Sequence, residues 1–416
     1  MTSSSTVLVL GAGMVGTCTA LHLAMRGHAV VLVDRRAPGR ETSYGNAGII
    51  QREAVEPYAF ARSLAKLASV AFKRDADVNY HLGALPGLAG KLARYWRNSG
   101  AARYPAIAQA YGRLIAHATD EHAPLIAAAG ADDLVRREGY LHIFRDAATL
   151  DAALAEARAL NRSHGLRTAA LDGAALATAE PALRQRLAGA IHWLDPWSVS
   201  DPGELVARYA AHFQRLGGTL AEGDAATLRQ TTAGWTVQSA DGAIEAEHAV
   251  IALGPWADRL LRPLGYRLPL FVKRGYHRHY RGGMAPRLPL YDTARGLVIA
   301  PMQRGVRLTT GAEFARQDAP ATPWQLGRAQ RYARELLDLP EPVEAQPWLG
   351  ARPCTADMKP VIGPAPRHRG LWFNFGHAHQ GFTLGPVSGR LLAELIDGEA
   401  PVVDPAPYSA QRFLSR

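Results

Sequence analysis

The segment Gly11-Ala-Gly13-Met-Val-Gly16 constrains this chain more than any other. It follows Val7-Leu-Val-Leu10, an apolar run that reads as a buried parallel strand, and it opens Thr17 to Arg26, which reads as a helix. Ala29-Val-Val-Leu-Val33 then reads as a second strand ending at Asp34. Glycine permits the tight turn, lets backbone approach a pyrophosphate and aims a helix N-terminus at its charge. Chance places such a spacing in roughly four of ten chains this rich in glycine, so the context decides. Here strand, turn, helix and an acidic residue about 20 positions on all occur in order, which predicts a βαβ dinucleotide site with Asp34 on the ribose. FAD and NAD are equally allowed by this unit.

A chain of 416 residues exceeds what one core serves and predicts two domains. Its formal charge of +10 is spread along the sequence, mostly as arginine, which argues against a nucleic-acid partner. Cys18 and Cys354 are too few and too far apart for a disulfide framework or a metal cluster, and a reducing cytoplasm is the expected location. The apolar start lacks a preceding basic residue and is broken by glycines, unlike a signal peptide, and no unbroken run of about 18 apolar residues predicts a membrane span. Neither GxSxG, HExxH nor a Walker loop is present.

Residues 54 to 130 are rich in Ala and Leu at helical spacing, interrupted by Pro57, Pro86, Pro105 and Pro124, so several successive helices are expected. Gly139 to Phe144 reads as a strand. From Asp201 to Leu253 the α/β rhythm returns, with a helix capped near Ser200 and Asp201 and Pro202 in its first turn. Val272 to Tyr280, Leu297 to Ala300 and Val306 to Thr310 read as strands of an antiparallel sheet in an inserted second domain.

What separates FAD from NAD is Glu41-Thr-Ser-Tyr-Gly-Asn-Ala-Gly48, a run of small residues whose amides can approach a phosphate or a flavin ring. This segment resembles the ETS-x-x-NAG loop of the FAD-dependent D-amino-acid dehydrogenase and glycine oxidase family, which is D-amino-acid oxidase-like. Ala249 to Trp256, Gly350-Ala-Arg352-Pro-Cys-Thr355-Ala-Asp357 and Gly376-His-Ala-His-Gln-Gly381-Phe-Thr383 agree with that family in the expected order. The resemblance implies non-covalent FAD held by Gly11, Gly13, Gly16, Asp34, Arg35, Thr42, Ser43, Asn46, Ala47, Gly48, Gly254, Trp256, Gly376, His377, Gly381 and Thr383. This last segment leads into a helical run, Val387 to Ile396, whose N-terminus would face the flavin's N1/O2 side, with His377 and His379 as packing or supporting groups rather than metal ligands.

By the same resemblance Arg352 binds the substrate carboxylate through its planar fork, and Tyr276 and His277 are candidate substrate contacts. Val298 falls where glycine oxidases present a tyrosine. Met358 stands where many relatives have glycine, and Cys354 is displaced from the cysteine that anchors FAD covalently in sarcosine oxidases. The implied fold is α/β plus α+β. A discontinuous Rossmann-like FAD domain (1–78, 196–262 and 346–416) carries an inserted substrate domain (79–195 and 263–345) with a mostly antiparallel sheet. The implied reaction moves a hydride from the Cα of a small D-amino acid to flavin N5, giving an imino acid and then a 2-oxo acid, with no certain catalytic base. The stretch from Glu56 to Asn98 favours a dehydrogenase using a quinone or other electron acceptor, with possible peripheral attachment to an anionic membrane. A cyclic imino-acid (D-hydroxyproline) dehydrogenase, a glycine or sarcosine oxidase, and a non-catalytic flavin-binding subunit are the alternatives.

Overall fold

The computed structural model describes residues 5–71 and 77–414; residues 72–76, inside the Glu56 to Asn98 stretch, lie outside the described residues. The initial apolar run forms the strand Thr6–Leu10, buried on both faces as a central parallel strand must be. Its side chains alternate: Val7 and Val9 join one apolar cluster and Leu8 and Leu10 another. Thr6–Leu10 pairs in parallel with Ala29–Asp34 on one side and His248–Ile251 on the other. Thr219–Gln230 and Leu371–Phe375 extend the parallel order outward. Antiparallel strands close both edges, giving eight strands.

One face of this sheet is covered by the helices Met14–Ala24, Pro202–Arg215 and Gly381–Asp397. The second starts as its sequence predicts, with Asp201 Oδ1 accepting from Glu204 N at 3.0 Å. Close approach of the first and third rests on glycine. A Cβ on Gly385 would lie 2.6 Å from Met14 Cγ, and one on Gly389 would lie 2.8 Å from Cys18 C and Thr19 N. The C-terminal helix begins at Gly381, a full turn and more before the Val387 start read from the sequence.

An 11-stranded sheet is built around Leu270–Arg281. That strand pairs antiparallel with Trp348–Thr355 along eight residues, including Lys273 opposite Arg352 and His277 opposite Trp348. It also pairs antiparallel with Gly305–Thr309. The domain boundaries expected from sequence are displaced at two places. Trp348–Thr355 follows the expected boundary at 346 yet belongs by its hydrogen bonds to this second sheet. The helices Tyr104–Ile115 and Ala118–Ala129, assigned to the inserted domain, bury Tyr111, Leu114, Leu125 and Ile126 in the same core as Leu21, Leu205 and Leu391. Pro86 and Pro105 occupy first helical turns, where a missing N–H costs nothing, but Pro124 lies inside its helix rather than ending it.

Candidate functional site

The glycine turn is made by its first and third members. Gly11 takes φ +108°, and a Cβ on Gly16 would sit 1.7 Å from Gly11 O. Gly16 is therefore a packing residue of the turn and does not line the adjoining cavity, which has a volume of about 1050 Å³. Gly13 does line it, and a Cβ there would find only Ser43 Oγ, at 3.4 Å. The space beside Gly13 is thus kept for something other than protein. Ser43 Oγ accepts from Met14 N at 2.9 Å, placing a hydroxyl on the N-terminus of the helix that the turn opens.

Asp34 accepts from Ala12 N at 2.7 Å and from Arg36 N at 3.1 Å, which fixes its carboxylate at the cavity wall. Beside it the Arg35 guanidinium lies 4.6 Å from the centroid of the Trp256 ring and bonds Glu41 at 2.9 Å. Arg35, Trp256 and Gly254 all line the cavity. A flat cation on an indole makes a surface suited to a planar base.

The loop after Asp34 reaches the middle of the cavity through Thr42, Ser43, Asn46 and Ala47. Thr42 Oγ1 donates to Ala351 O at 3.0 Å, tying the loop to the second sheet. Asn46 Oδ1 accepts from Gly48 N at 2.8 Å, so its amide oxygen serves the turn. Gly48 does not reach the cavity. At φ +69° a Cβ there would strike Val199 O at 2.2 Å, so its glycine is required by backbone approach. Arg307, which the sequence did not single out, holds the loop from beneath by donating to Tyr44 O at 2.8 Å and Asn46 O at 2.5 Å. Burial lowers its pKa to about 10.

Gly376, His377 and Gly381 line the cavity where the C-terminal helix begins. Burial lowers the His377 pKa to about 3, and its Nε2 has no hydrogen-bond partner among the described residues. Thr383 is buried behind them; its Oγ1 accepts from Gln51 N at 3.1 Å and does not line the cavity. These features fit FAD: two helix N-termini, a carboxylate fixed at the cavity wall, a guanidinium laid on an indole, and glycine on the wall of the cleft. Cys354 is buried, burial raises its pKa, and it lies outside the lining of this cavity.

At the other end, Arg352 is half-buried and lines the cavity. Its guanidinium donates to Gly311 O at 3.0 Å and to Arg274 O and Thr310 O, each at 3.3 Å. Among the described residues no carboxylate lies within ion-pair distance of it. A Cβ on Gly275 would lie 2.6 Å from Arg352 Nη1, so that glycine makes room for the guanidinium.

The two candidates on the neighbouring strand are placed differently from expectation. Strand alternation puts Tyr276 on the face opposite Lys273 and hence Arg352; its Oη accepts from Thr322 N at 2.7 Å and donates to Glu313 at 3.1 Å. Tyr276 contributes to the cavity wall, but its hydroxyl is committed to that buried network. His277 shares the Arg352 face but stacks on Trp348, with centroids 4.8 Å apart, and does not line the cavity. Burial, assisted by Arg307, lowers its pKa to about 2.

The side chains that do gather near Arg352 include Tyr58, Lys273, Tyr291 and His379. Tyr291 stands opposite Val298 in the sheet, so a tyrosine reaches the cavity from the adjacent strand. The His379 ring lies 4.9 Å from that of Tyr58, and burial together with Arg352 and Lys273 holds its pKa well below the ordinary value. Met358 adopts φ +65°, so the turn after Asp357 has the left-handed shape a glycine would give, and its side chain packs in a core with Phe271 and Leu88.

The family model described as FAD dependent oxidoreductase (DAO) matches residues 6–395. The chain is 30% identical over 420 residues to the D-amino acid dehydrogenase of Chromohalobacter salexigens, covering 98% of this chain and 100% of that protein. It is likewise 30% identical to the D-amino-acid oxidase of Bradyrhizobium diazoefficiens, over 98% and 99% of the two chains. Among solved structures, glycine oxidase from Geobacillus kaustophilus superposes with a TM-score of 0.73 at 24% identity, covering 98% of each chain. Among the described residues no helix is long and apolar enough to cross a membrane. The match across nearly the whole length, together with a cavity built for a flavin dinucleotide, places this chain in the DAO family of FAD-dependent oxidoreductases.

Proposed function

We propose that this protein oxidises the Cα–N bond of a small D-amino acid to the imino acid, which water converts to a 2-oxo acid and ammonia. One observation carries the reading: Arg352 presents a half-buried guanidinium to the cavity with only backbone carbonyls as partners among the described residues. A desolvated cation of fixed geometry suits a bidentate carboxylate. FAD, held by the Gly13, Ser43, Asp34, Arg35–Trp256 and Gly381 segments, supplies the acceptor for the electron pair. The protein's own groups orient and exclude. Arg352 fixes the carboxylate, and Tyr58, Tyr291 and Trp348 wall the space around it.

The desolvated Arg352 cation also disfavours an ammonium nearby, so the amine binds neutral and no carbon-directed base is required. The D preference, and an electron acceptor such as a quinone, accord with the relatives named dehydrogenase. The net charge of +10 and the exposed Leu64 and Leu82 support loose attachment to an anionic membrane from the cytoplasmic side. The test is anaerobic addition of a panel of D- and L-amino acids to the flavin-loaded protein. Bleaching of the flavin absorbance by D-amino acids is expected. A spectrum unmoved by every amino and imino acid would instead make the chain a flavin-binding subunit without turnover.

A further inference from the structure

Lys273 is a buried ammonium, 7% exposed, that lines the substrate end of the cavity. Its Nζ donates to Tyr95 Oη at 2.9 Å and lies over the Tyr95 ring at 4.5 Å, with Phe271 and Phe314 farther out. Among the described residues no carboxylate lies within ion-pair distance of it. Its chain neighbour shows the contrast. Arg274, on the opposite face of the same strand, is equally buried and is paired with Glu313 at 2.6 Å. Burying a cation without an anion is costly, and aromatic faces offset only part of that cost.

Lys273 is also the direct antiparallel partner of Arg352. Residues paired in this way project from the same face, with Cβ atoms about 5 Å apart. The two cations therefore rise side by side toward one cavity, and both help to depress the pKa of His379, which also lines it. One α-carboxylate answers one of them. The second has no use in the oxidation of a neutral amino acid.

Resting on the reading of Arg352 as the α-carboxylate site, we infer that the preferred substrate is a dicarboxylic amino acid whose side-chain carboxylate pairs with Lys273. The aromatic cage around Nζ excludes water from that pair and holds the lysine extended. Lys273 is thus a specificity-determining residue and takes no part in electron transfer.

The flavin-loaded wild type and Lys273→Met, which keeps the apolar stem and removes the charge, are compared on D-aspartate, D-glutamate, D-alanine and D-methionine. Wild type is expected to favour the acidic pair in kcat/KM. Lys273→Met should lose about 100-fold on the acidic pair and change by less than about threefold on the neutral pair. Lys273→Arg should keep most of the preference. Succinate, a dicarboxylate that cannot be oxidised, should perturb the wild-type flavin spectrum at far lower concentration than propionate does, and this difference should vanish in Lys273→Met. Matching flavin content and melting temperature certify the fold of each variant. Equal wild-type turnover of acidic and neutral amino acids, or a Lys273→Met variant with an unchanged ratio, would overturn the inference while leaving amino-acid oxidation standing. Failure of every amino acid to reduce the flavin would instead overturn the reading on which it rests.

Discussion

At the scale of single residues, two buried ionisable groups give opposite kinds of prediction. Three backbone carbonyls share the donors of Arg352, and a bound carboxylate becomes its desolvated ionic partner. Losing one member of such a pair costs roughly 2 to 5 kcal/mol, so Arg352→Ala should lower kcat/KM by about two to three orders of magnitude with flavin content unchanged. Arg352→Lys should restore only part, since an ammonium lacks the fork. Near-wild-type efficiency in the Ala variant would mean the carboxylate is held elsewhere.

Glu53 acts on stability. Burial raises its pKa to about 7, against hydrogen bonds from Tyr140 and Gln51 that lower it, and its Oε2 has no partner among the described residues. Between pH 4.5 and about 7 the unfolded chain gives up this proton while the folded one keeps it. Stability therefore falls as pH rises through that window, by roughly 3 kcal/mol in full. Glu53→Gln should flatten the decline in urea titrations from pH 5 to pH 8 and be the more stable protein at pH 8. A wild-type slope retained in the variant would place the dependence on another group.

At the scale of elements, the helix Gly381–Asp397 owes its position to small residues facing Met14–Ala24. A side chain at 389 meets backbone at 2.8 Å, which cannot yield as a flexible side chain would. Gly389→Val should cost about 3 kcal/mol in chemical denaturation and weaken flavin retention, because both helices that open onto the cavity would separate. An unchanged denaturation midpoint would show that the helices can slide apart freely.

The same elements show what a sequence can reveal. The first βαβ unit was legible because each glycine there answers a local demand, and the place of Arg352 on the cavity wall because its motif is local too. Thr219–Gln230 was not: its small and polar residues carry little strand signal, and pairing on both edges decides its conformation. Tyr276 and His277 were sound strand residues, but alternation alone does not reveal which face meets the cavity or that Trp348 would cover one row. Lys273 could be recognised only once the register set it opposite Arg352.

At the scale of the whole molecule, the cavity has walls from both sheets: Gly13, Asp34 and Gly254 from one side, Lys273, Gly275 and Arg352 from the other. A cofactor filling it touches both cores, so its binding should stabilise the whole fold and leave no half independent. Ligand present at a thousandfold excess over its Kd adds about 4 kcal/mol, enough to raise the melting temperature by several degrees. The flavin should leave on acid precipitation, since Cys354 stands outside the cavity lining, and the resulting apoprotein should melt lower and recover on adding FAD but not FMN, which lacks the adenosine that Asp34 and the Arg35–Trp256 clamp would hold. Gly13→Val separates cofactor from fold. The backbone at Gly13 is extended, with φ −75°, and the nearest protein atom to a new Cβ is 3.4 Å away, so a Cβ there meets ordinary contact from the protein and projects toward whatever occupies the cavity. That variant should melt like the apoprotein and ignore added FAD, whereas Arg352→Ala should show the full rise. A normal FAD response in Gly13→Val would mean that the pyrophosphate does not lie against the turn, and the assignment of this end of the cavity would have to be moved.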